Sequence, residues 1–482
     1  MDTDRLSNNI SQYFQQHQEQ AFLLKSFFLI VLIIGLRQYL LPYFGIIAFI
    51  FPIFFLIYIR LQAFSTGQSA FKLLTEHITF IPVMYAAGER KKEGVAWVTY
   101  SLILINILVF YFIEPTLGPV YLARNFMFLP YNPNVWNVPV SAFTSIFLHA
   151  HGMHLWGNMV FLWAVGTVVE RRIGAGRFLL LYLATGVISG IVFAAVNFLF
   201  LGKAGHIVGA SGPISGVMGI FAVRCYFKTM VFPLPILGIF SLILPISLKV
   251  KLNSLVIIGV FFMADLSGGI GQITGTGFSN VGHWAHLGGM VSGIVFALFM
   301  GFEKKAVEEK HVDIGIQAST VRVGIGKGED SLRIALEHNP DNPEALLHLA
   351  RMRSKFNRTD EGNELYQKAI GLLFKTKPAE ATSVFREYYG KYFKGVEPML
   401  QMGLAIMFHK GGDLDMASRC LEMLANSPEA STEIREQATY QCASILEEMG
   451  LDDAARGYYK RFLANFPNSI AAPKIKAKLA GI

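Results

Sequence analysis

The sequence predicts an all-α protein: a polytopic transmembrane helical bundle with a six-helix core and an N-terminal apolar hairpin, followed by a soluble α-helical repeat domain. Three observations carry that expectation. Of 482 residues, 53% are hydrophobic and only 16% charged, and the mean hydropathy is +0.43, too apolar for an ordinary soluble protein. Apolar segments near the ~20 residues a bilayer crossing needs recur up to about residue 302. Beyond residue 328 the pattern becomes one of polar, amphipathic helices.

The first region, 1–93, begins with twenty polar residues, so no cleavable signal peptide is expected at the N-terminus. Residues of about 21–60 are almost continuously apolar, interrupted at Arg37-Gln38, and read as a helical hairpin with a short first arm; one bent or re-entrant segment is the alternative. Residues 94–302 hold six further segments, near 96–113, 142–168, 177–200, 211–229, 252–267 and 282–302. Apolar residues 231–248 read as an extra interfacial or re-entrant piece, and the glycine-rich stretch 266–282 as a loop, a movable cap between the fifth and sixth spans. A linker is expected over 303–327 and soluble helical repeats over 328–482.

Charge sets the orientation. Arg90, Lys91 and Lys92, then Arg171, Arg172 and Arg177, then Lys249 and Lys251, and last Lys304 and Lys305 fall on one side, which the positive-inside rule makes cytoplasmic. The expected location is an integral, multi-pass membrane protein, in the inner membrane if the cell is bacterial, with a cytoplasmic C-terminal domain. The net charge of +8 follows from these flanking residues, so no nucleic-acid partner is expected. Cys225, Cys420 and Cys442 show neither metal spacing nor a disulfide framework and read as reduced.

Within the apolar spans, the residues that carry chemistry are Ser211, in Gly209-Ala210-Ser211-Gly212, and His286, in Ala285-His286-Leu287-Gly288-Gly289. Polar groups in a bilayer are costly and usually functional. A serine needs a base to become a nucleophile, and a histidine can be that base. Ser211 opens its helix, where unpaired N–H groups and a partial positive charge suit a developing oxyanion. Gly212 and Gly216 form a ridge beside Ser211, Ser215 and Gly219, while His286, Gly289 and Gly293 share one face, so the two helices can approach closely. The plain alternative is that both are packing residues. The second span adds His149, His151, His154 and Asn158. Three histidines suggest a metal site, but no carboxylate accompanies them and their spacing is not a regular helical chelate. His154 and Asn158, four apart, can instead donate to an oxyanion, or they can simply line a polar cavity. His283 reads as nearer the loop than the base, and His151 as a cavity or loop residue; Asp265, at the end of the fifth span, reads as a helix-end or loop contact, with a buried acid the alternative. No cofactor and no metal are expected.

In the C-terminal part, Ala350 and Gly362 are twelve apart, as are Ala405 and Ala417, and Ala443 and Ala455; four residues after each second member comes Tyr366, Leu421 or Tyr459. Paired small residues let antiparallel helices approach while the large one fills the groove. This resembles tetratricopeptide repeats, with Pro467 closing the last unit and a further helix pair expected around 378–394.

His149 with His154-x-x-x-Asn158, Glu170-Arg171-Arg172 with Gly174, Gly209-Ala210-Ser211-Gly212, and Ala285-His286-x-Gly288-Gly289 with Gly293 follow one another on successive spans. In that order they resemble the rhomboid family of intramembrane serine proteases, over about residues 94–302. The resemblance implies a Ser–His dyad without an acidic third member. Ser211 would be the nucleophile and His286 the base, then acid; His154, Asn158 and the Ser211 N–H would form the oxyanion hole, and His149 would line a water-accessible cavity. Substrates would be single-span or other membrane proteins, and the repeats would bind a cytosolic protein or peptide. A non-catalytic relative that binds membrane clients is the alternative. Two departures stand out. Ser215 occupies a position where relatives can carry an aromatic residue stacked on the histidine, and Trp136-Asn137 stands where they often carry Trp-Arg closer to the helix.

Overall fold

The computed structural model describes residues 20, 22–32, 35, 44–79, 85–87, 94–129, 137–202, 206–235, 247–276, 281–320, 325–355 and 357–480. The chain divides into two compact units, Met1–Ala306 and Val307–Ile482.

The first unit is predominantly helical. Its first described helices are α1 (Phe22–Leu32), α2 (Phe44–Thr66) and α3 (Ala70–His77). The interruption expected at Arg37-Gln38 lies outside the described residues. Helix α1 packs on a later span, its Ile30 seated over Gly259 where a Cβ would overlap it. The bundle follows as α4 (Trp97–Leu117), the short α5 (Pro119–Asn125) and α6 (Asn137–Thr144), α7 (Gly152–Ile173) and α8 (Ala175–Leu201), α9 (Ser211–Arg224), α10 (Ser254–Thr274) and α11 (His283–Phe299). Four of these, α4, α7, α8 and α10, are long and apolar enough to cross a bilayer. The other two helices that the sequence counts as spans are shorter, α9 with 14 residues and α11 with 17. At 1.5 Å per residue α9 is about 21 Å long, roughly 9 Å short of a ~30 Å hydrocarbon core.

The bundle is apolar inside and out, in the manner of a membrane protein. Its core is Leu155, Met159, Leu162, Phe178, Tyr182, Ile214, Val217, Phe221 and Met290, all buried, while Phe198, Leu199, Phe200 and Phe299 stand exposed on the outside, where lipid, not water, is their solvent. One buried carboxylate organises the first helix. Glu170, 3% exposed, accepts from the backbone N–H of Val98 at 2.9 Å and from the N–H and hydroxyl of Thr99, each at 2.7 Å. It thereby caps α4 from the far end of α7. Glu170→Ala strands three donors at once, two of them buried. The expected cost is about 2–3 kcal/mol, read as a lower melting temperature in detergent, with Glu170→Gln losing less; an unchanged melting temperature for the alanine variant would refute this role.

A small antiparallel sheet is the main feature the sequence did not suggest. Strands β1 (Ile78–Thr79), β2 (Tyr85–Ala87), β3 (Thr229–Pro235) and β4 (Ser247–Asn253) are ordered β1-β4-β3-β2, with β3 and β4 paired from Thr229↔Asn253 to Pro235↔Ser247. The interfacial or re-entrant piece expected over 231–248 is therefore, where described, two paired strands, because backbone groups not held in a helix need ladder partners; residues 236–246 lie outside the described residues. The glycine-rich stretch 266–282 is corrected as well: α10 runs through it to Thr274 and ends at Gly275, φ +71°.

The expected linker, 303–327, is helical over α12 (Phe302–Thr320). Its part within the second unit packs there: Val312 is buried with Leu332, Ala335 and Leu349, and Gly315 lets Leu332 approach. The second unit continues with α13 (Ile325–His338), α14 (Pro343–Arg353), α15 (Asp360–Thr376), α16 (Pro378–Tyr392), α17 (Pro398–Lys410), α18 (Leu414–Asn426), α19 (Thr432–Glu448), α20 (Asp452–Asn465) and α21 (Ala472–Ala480). The three small-residue pairs sit on α14/α15, α17/α18 and α19/α20, and Ala350, Ala405, Ala417, Ala443, Ala455, Tyr366, Leu421 and Tyr459 are all buried. The interval expected to hide a further helix pair around 378–394 holds one helix, α16. Its Glu387 joins α14 and α15, accepting from Arg351 Nη2 at 2.6 Å and Tyr366 OH at 2.7 Å.

Burial pushes the Cys420 and Cys442 thiols up to about 12, so the thiolate that reacts with electrophiles is scarce at neutral pH. Iodoacetamide at pH 7.5 is expected to leave both unmodified in the native chain and to alkylate both after denaturation, as read by intact mass. Rapid native alkylation would contradict the packing of α18 on α19.

Candidate active site

The site is made where α9 crosses α11. Each helix presents glycines at the crossing. A Cβ on Gly289 would overlap the carbonyl of Gly212, one on Gly293 that of Gly216, and one on Gly219 that of Met290. Only hydrogen fits at these points, so the backbones touch, and close backbone approach is what brings short side chains together. The two side chains at the end of this seam are Ser211 and His286. Ser211 Oγ lies 2.9 Å from His286 Nε2, within the reach of a nucleophile and its base. The N–H groups of the first turn of α9 have no partners within their own helix. Ser211 is thus hydrogen-bonded to an imidazole at the positive end of a helix dipole.

The other imidazole nitrogen has a partner that the sequence pattern assigned elsewhere. His286 Nδ1 lies 3.1 Å from Asp265 Oδ1, and the same oxygen is 2.7 Å from His283 Nδ1. Asp265 does not end the fifth span, because α10 continues nine residues beyond it to Thr274. Its side chain is 14% exposed. His283 and His286 are three apart on α11, and Asp265 and Gly268 are three apart on α10, so each pair shares a face. A Cβ on Gly268 would collide with the His283 ring, and one on Gly269 with the Trp284 indole. The glycines that suggested a loop are therefore the surface that lets α10 close on α11. With the small Ser215 one turn beyond Ser211, the imidazole is held by a carboxylate.

On the opposite side, Gly209 adopts φ +121°, a conformation open to glycine and strained for other residues. Its N–H donates to the Ser145 carbonyl at 2.9 Å. A Cβ there would meet His154 Nε2 at 2.8 Å and Asn158 Nδ2 at 3.6 Å, so both side chains of α7 border the turn that delivers Ser211. Asn158 Nδ2 is buried and has no hydrogen-bond partner among the described residues. His149 is 3% exposed and its ring lies edge-on to His154, 5.2 Å between centroids; its backbone N–H donates to Glu114 Oε1 at 2.9 Å. His151 caps α7, accepting at Nδ1 from the His154 N–H. Trp136 is outside the described residues, and Asn137 begins α6. The structure thus gathers Ser211, His286, His154 and Asn158, with His149 joined through His154, and adds Asp265. The signal for Asp265 was an acid inside an apolar run.

Comparison with known proteins agrees with this architecture. Residues 134–302 match the Rhomboid domain and residues 437–469 the Tetratricopeptide repeat; the first match leaves out α4, and the second covers only the last repeat pair. The chain is 27% identical to Rhomboid protease GluP of Bacillus subtilis (strain 168) over 283 residues, 58% of this chain and 46% of that protein. It is 30% identical to Rhomboid-like protein 11, chloroplastic, of Arabidopsis thaliana over 217 residues, 43% of this chain and 65% of that one. With Rhomboid protease GlpG of Klebsiella pneumoniae subsp. pneumoniae it shares 29% over 128 residues, 26% of this chain and 43% of that protein. The matched stretch covers less than two thirds of each of these relatives. The chain is thus similar to rhomboid proteins over 134–302 and to a tetratricopeptide repeat over 437–469, and its apolar helices make it an integral membrane protein.

Proposed function

We propose that this chain is a serine endopeptidase that cuts transmembrane segments of other membrane proteins. The observation that carries the reading is the 2.9 Å contact between Ser211 Oγ and His286 Nε2 at the start of a helix too short to span. If the Arg224 end of α9 lies at one face of the bilayer, Ser211 lies roughly 9 Å beneath the other. With Lys and Arg on the cytoplasmic side, that buried end faces outward.

In this mechanism Ser211 Oγ attacks the scissile carbonyl carbon while its proton passes to His286 Nε2. The carbonyl oxygen becomes an oxyanion, met by the Ser211 N–H, Asn158 Nδ2 and His154. His286 then gives the proton to the leaving amine, and the C–N bond breaks. Water repeats the sequence on the acyl-enzyme, releasing the carboxylate and restoring Ser211. A helical substrate has its carbonyls engaged within its own backbone, so it must unwind near the cut; small or helix-breaking residues are expected there. The repeat domain, on the cytoplasmic side, binds a protein or peptide that supplies substrate or adaptor.

A relative that only holds membrane clients is the competing reading. Incubating the purified protein in detergent with a panel of single-span membrane proteins separates the two. A new N-terminus within a transmembrane segment supports the peptidase. Capture of clients with every chain left intact supports the holder.

A further inference from the structure

The pair at 211 and 286 has a third member in reach, and its chemistry sets the direction of proton transfer. A neutral imidazole donates from one nitrogen and accepts at the other. An ionised carboxylate only accepts. Asp265 Oδ1, 3.1 Å from His286 Nδ1, therefore fixes the proton on Nδ1 and leaves the Nε2 lone pair toward Ser211. An acid halfway along an apolar helix is costly to keep. This one is aimed at two histidine rings by a helix contact that needs glycine at 268. The groups facing the imidazole are Asp265 from α10, His283 beside it on α11, His154 from α7 and Ser211 from α9.

We infer that Asp265 is a positioning residue for His286, so that the site works as a Ser211–His286–Asp265 triad and not as the dyad the resemblance implied. The carboxylate selects the productive tautomer and stabilises the imidazolium formed when Ser211 gives up its proton. His283 shares the same oxygen and steadies the carboxylate from the other side. This rests on the peptidase reading above.

The test measures saturation kinetics of a fluorophosphonate probe on the full chain in detergent, with the maximal labelling rate and the half-saturating concentration resolved. For Asp265→Asn the maximal rate is expected to fall at least about tenfold, with half-saturation and melting temperature unchanged, and Asp265→Glu should recover part of it. A structural role alone would move the melting temperature and leave the maximal rate of the folded fraction intact. Should Asp265→Asn fail to fold, Asp265→Glu decides: a maximal rate several-fold below wild type at unchanged half-saturation is expected, because the carboxylate is displaced from His286, and a wild-type maximal rate would overturn the proposal. Wild-type kinetics in Asp265→Asn would overturn it too. Ser211→Ala and His286→Ala run alongside: if they label like wild type, the peptidase reading itself fails, whereas silent controls beside a fully active Asp265→Asn remove only the triad.

Discussion

Ser211→Ala is expected to reduce cleavage of a transmembrane substrate by about 10⁴-fold or more, with the folded protein otherwise intact. The hydroxyl at 211 is the group in contact with His286; Ser215, one turn on, is buried inside the helix packing and cannot replace it without unwinding α9. Alanine at the first position of a helix leaves no strain and only a hydroxyl-sized gap, so the melting temperature should change by no more than about 1 kcal/mol would produce. His286→Ala should lose as much activity. Groups that act as one unit are not additive, so the double variant should lose no more than either single one. Retention of more than a hundredth of wild-type cleavage in Ser211→Ala would contradict the assignment. Substrate capture should survive both changes, because neither side chain carries much ground-state binding.

Gly293→Val should be the most destabilising substitution in the membrane unit. A Cβ at 293 would occupy the space of the Gly216 carbonyl carbon and oxygen. Those are backbone atoms, with no rotamer to retreat into, so α9 and α11 would have to part along their seam. Overpacking of this kind costs about 3 kcal/mol or more. A parting of about 1 Å would also lengthen the Ser211–His286 contact past hydrogen-bond range and remove roughly a hundredfold of activity or more. Gly176→Ala is the matched control. Nothing lies within 4 Å of a Cβ there, and alanine favours helix over glycine, so stability should hold or rise by up to about 1 kcal/mol. Detergent melting of the two variants checks the contrast. Equal melting temperatures would mean that α9 and α11 do not meet at their glycines.

The meeting of polar side chains was legible where residue type and spacing coincide. Ser211 after a glycine turn is a weak pattern alone; paired with His286 before a glycine face, and with His154 and Asn158 four apart, it marked side chains that the fold brings together. The small-residue pairs of the repeats were equally legible, because Ala350, Ala405 and Ala443 mark helix crossings by their size. What escaped was set by tertiary context. Gly268, Gly269 and Gly271 read as loop residues by the propensities of water-exposed helices, yet membrane helices tolerate glycine, and here Gly268 and Gly269 seat the rings of His283 and Trp284. That error moved Asp265 to a helix end and hid its bond to His286. The strands flanking 236–246 were hidden for a related reason: an apolar run next to a bilayer looks alike whether it pairs as a ladder or enters lipid. Glu170 looked like one element of a motif beside two arginines; its capping of α4, about seventy residues away in sequence, has no local signature.

Every step of the proposed reaction requires the hydroxyl at 211 to be an activated nucleophile. The most direct test of this is peptide mapping by mass spectrometry after fluorophosphonate treatment of the full-length protein in its membrane. One phosphonyl adduct is expected, on Ser211, and it disappears in Ser211→Ala and in His286→Ala. An unmodified Ser211 in wild type, or an adduct there that persists when His286 is removed, would contradict it.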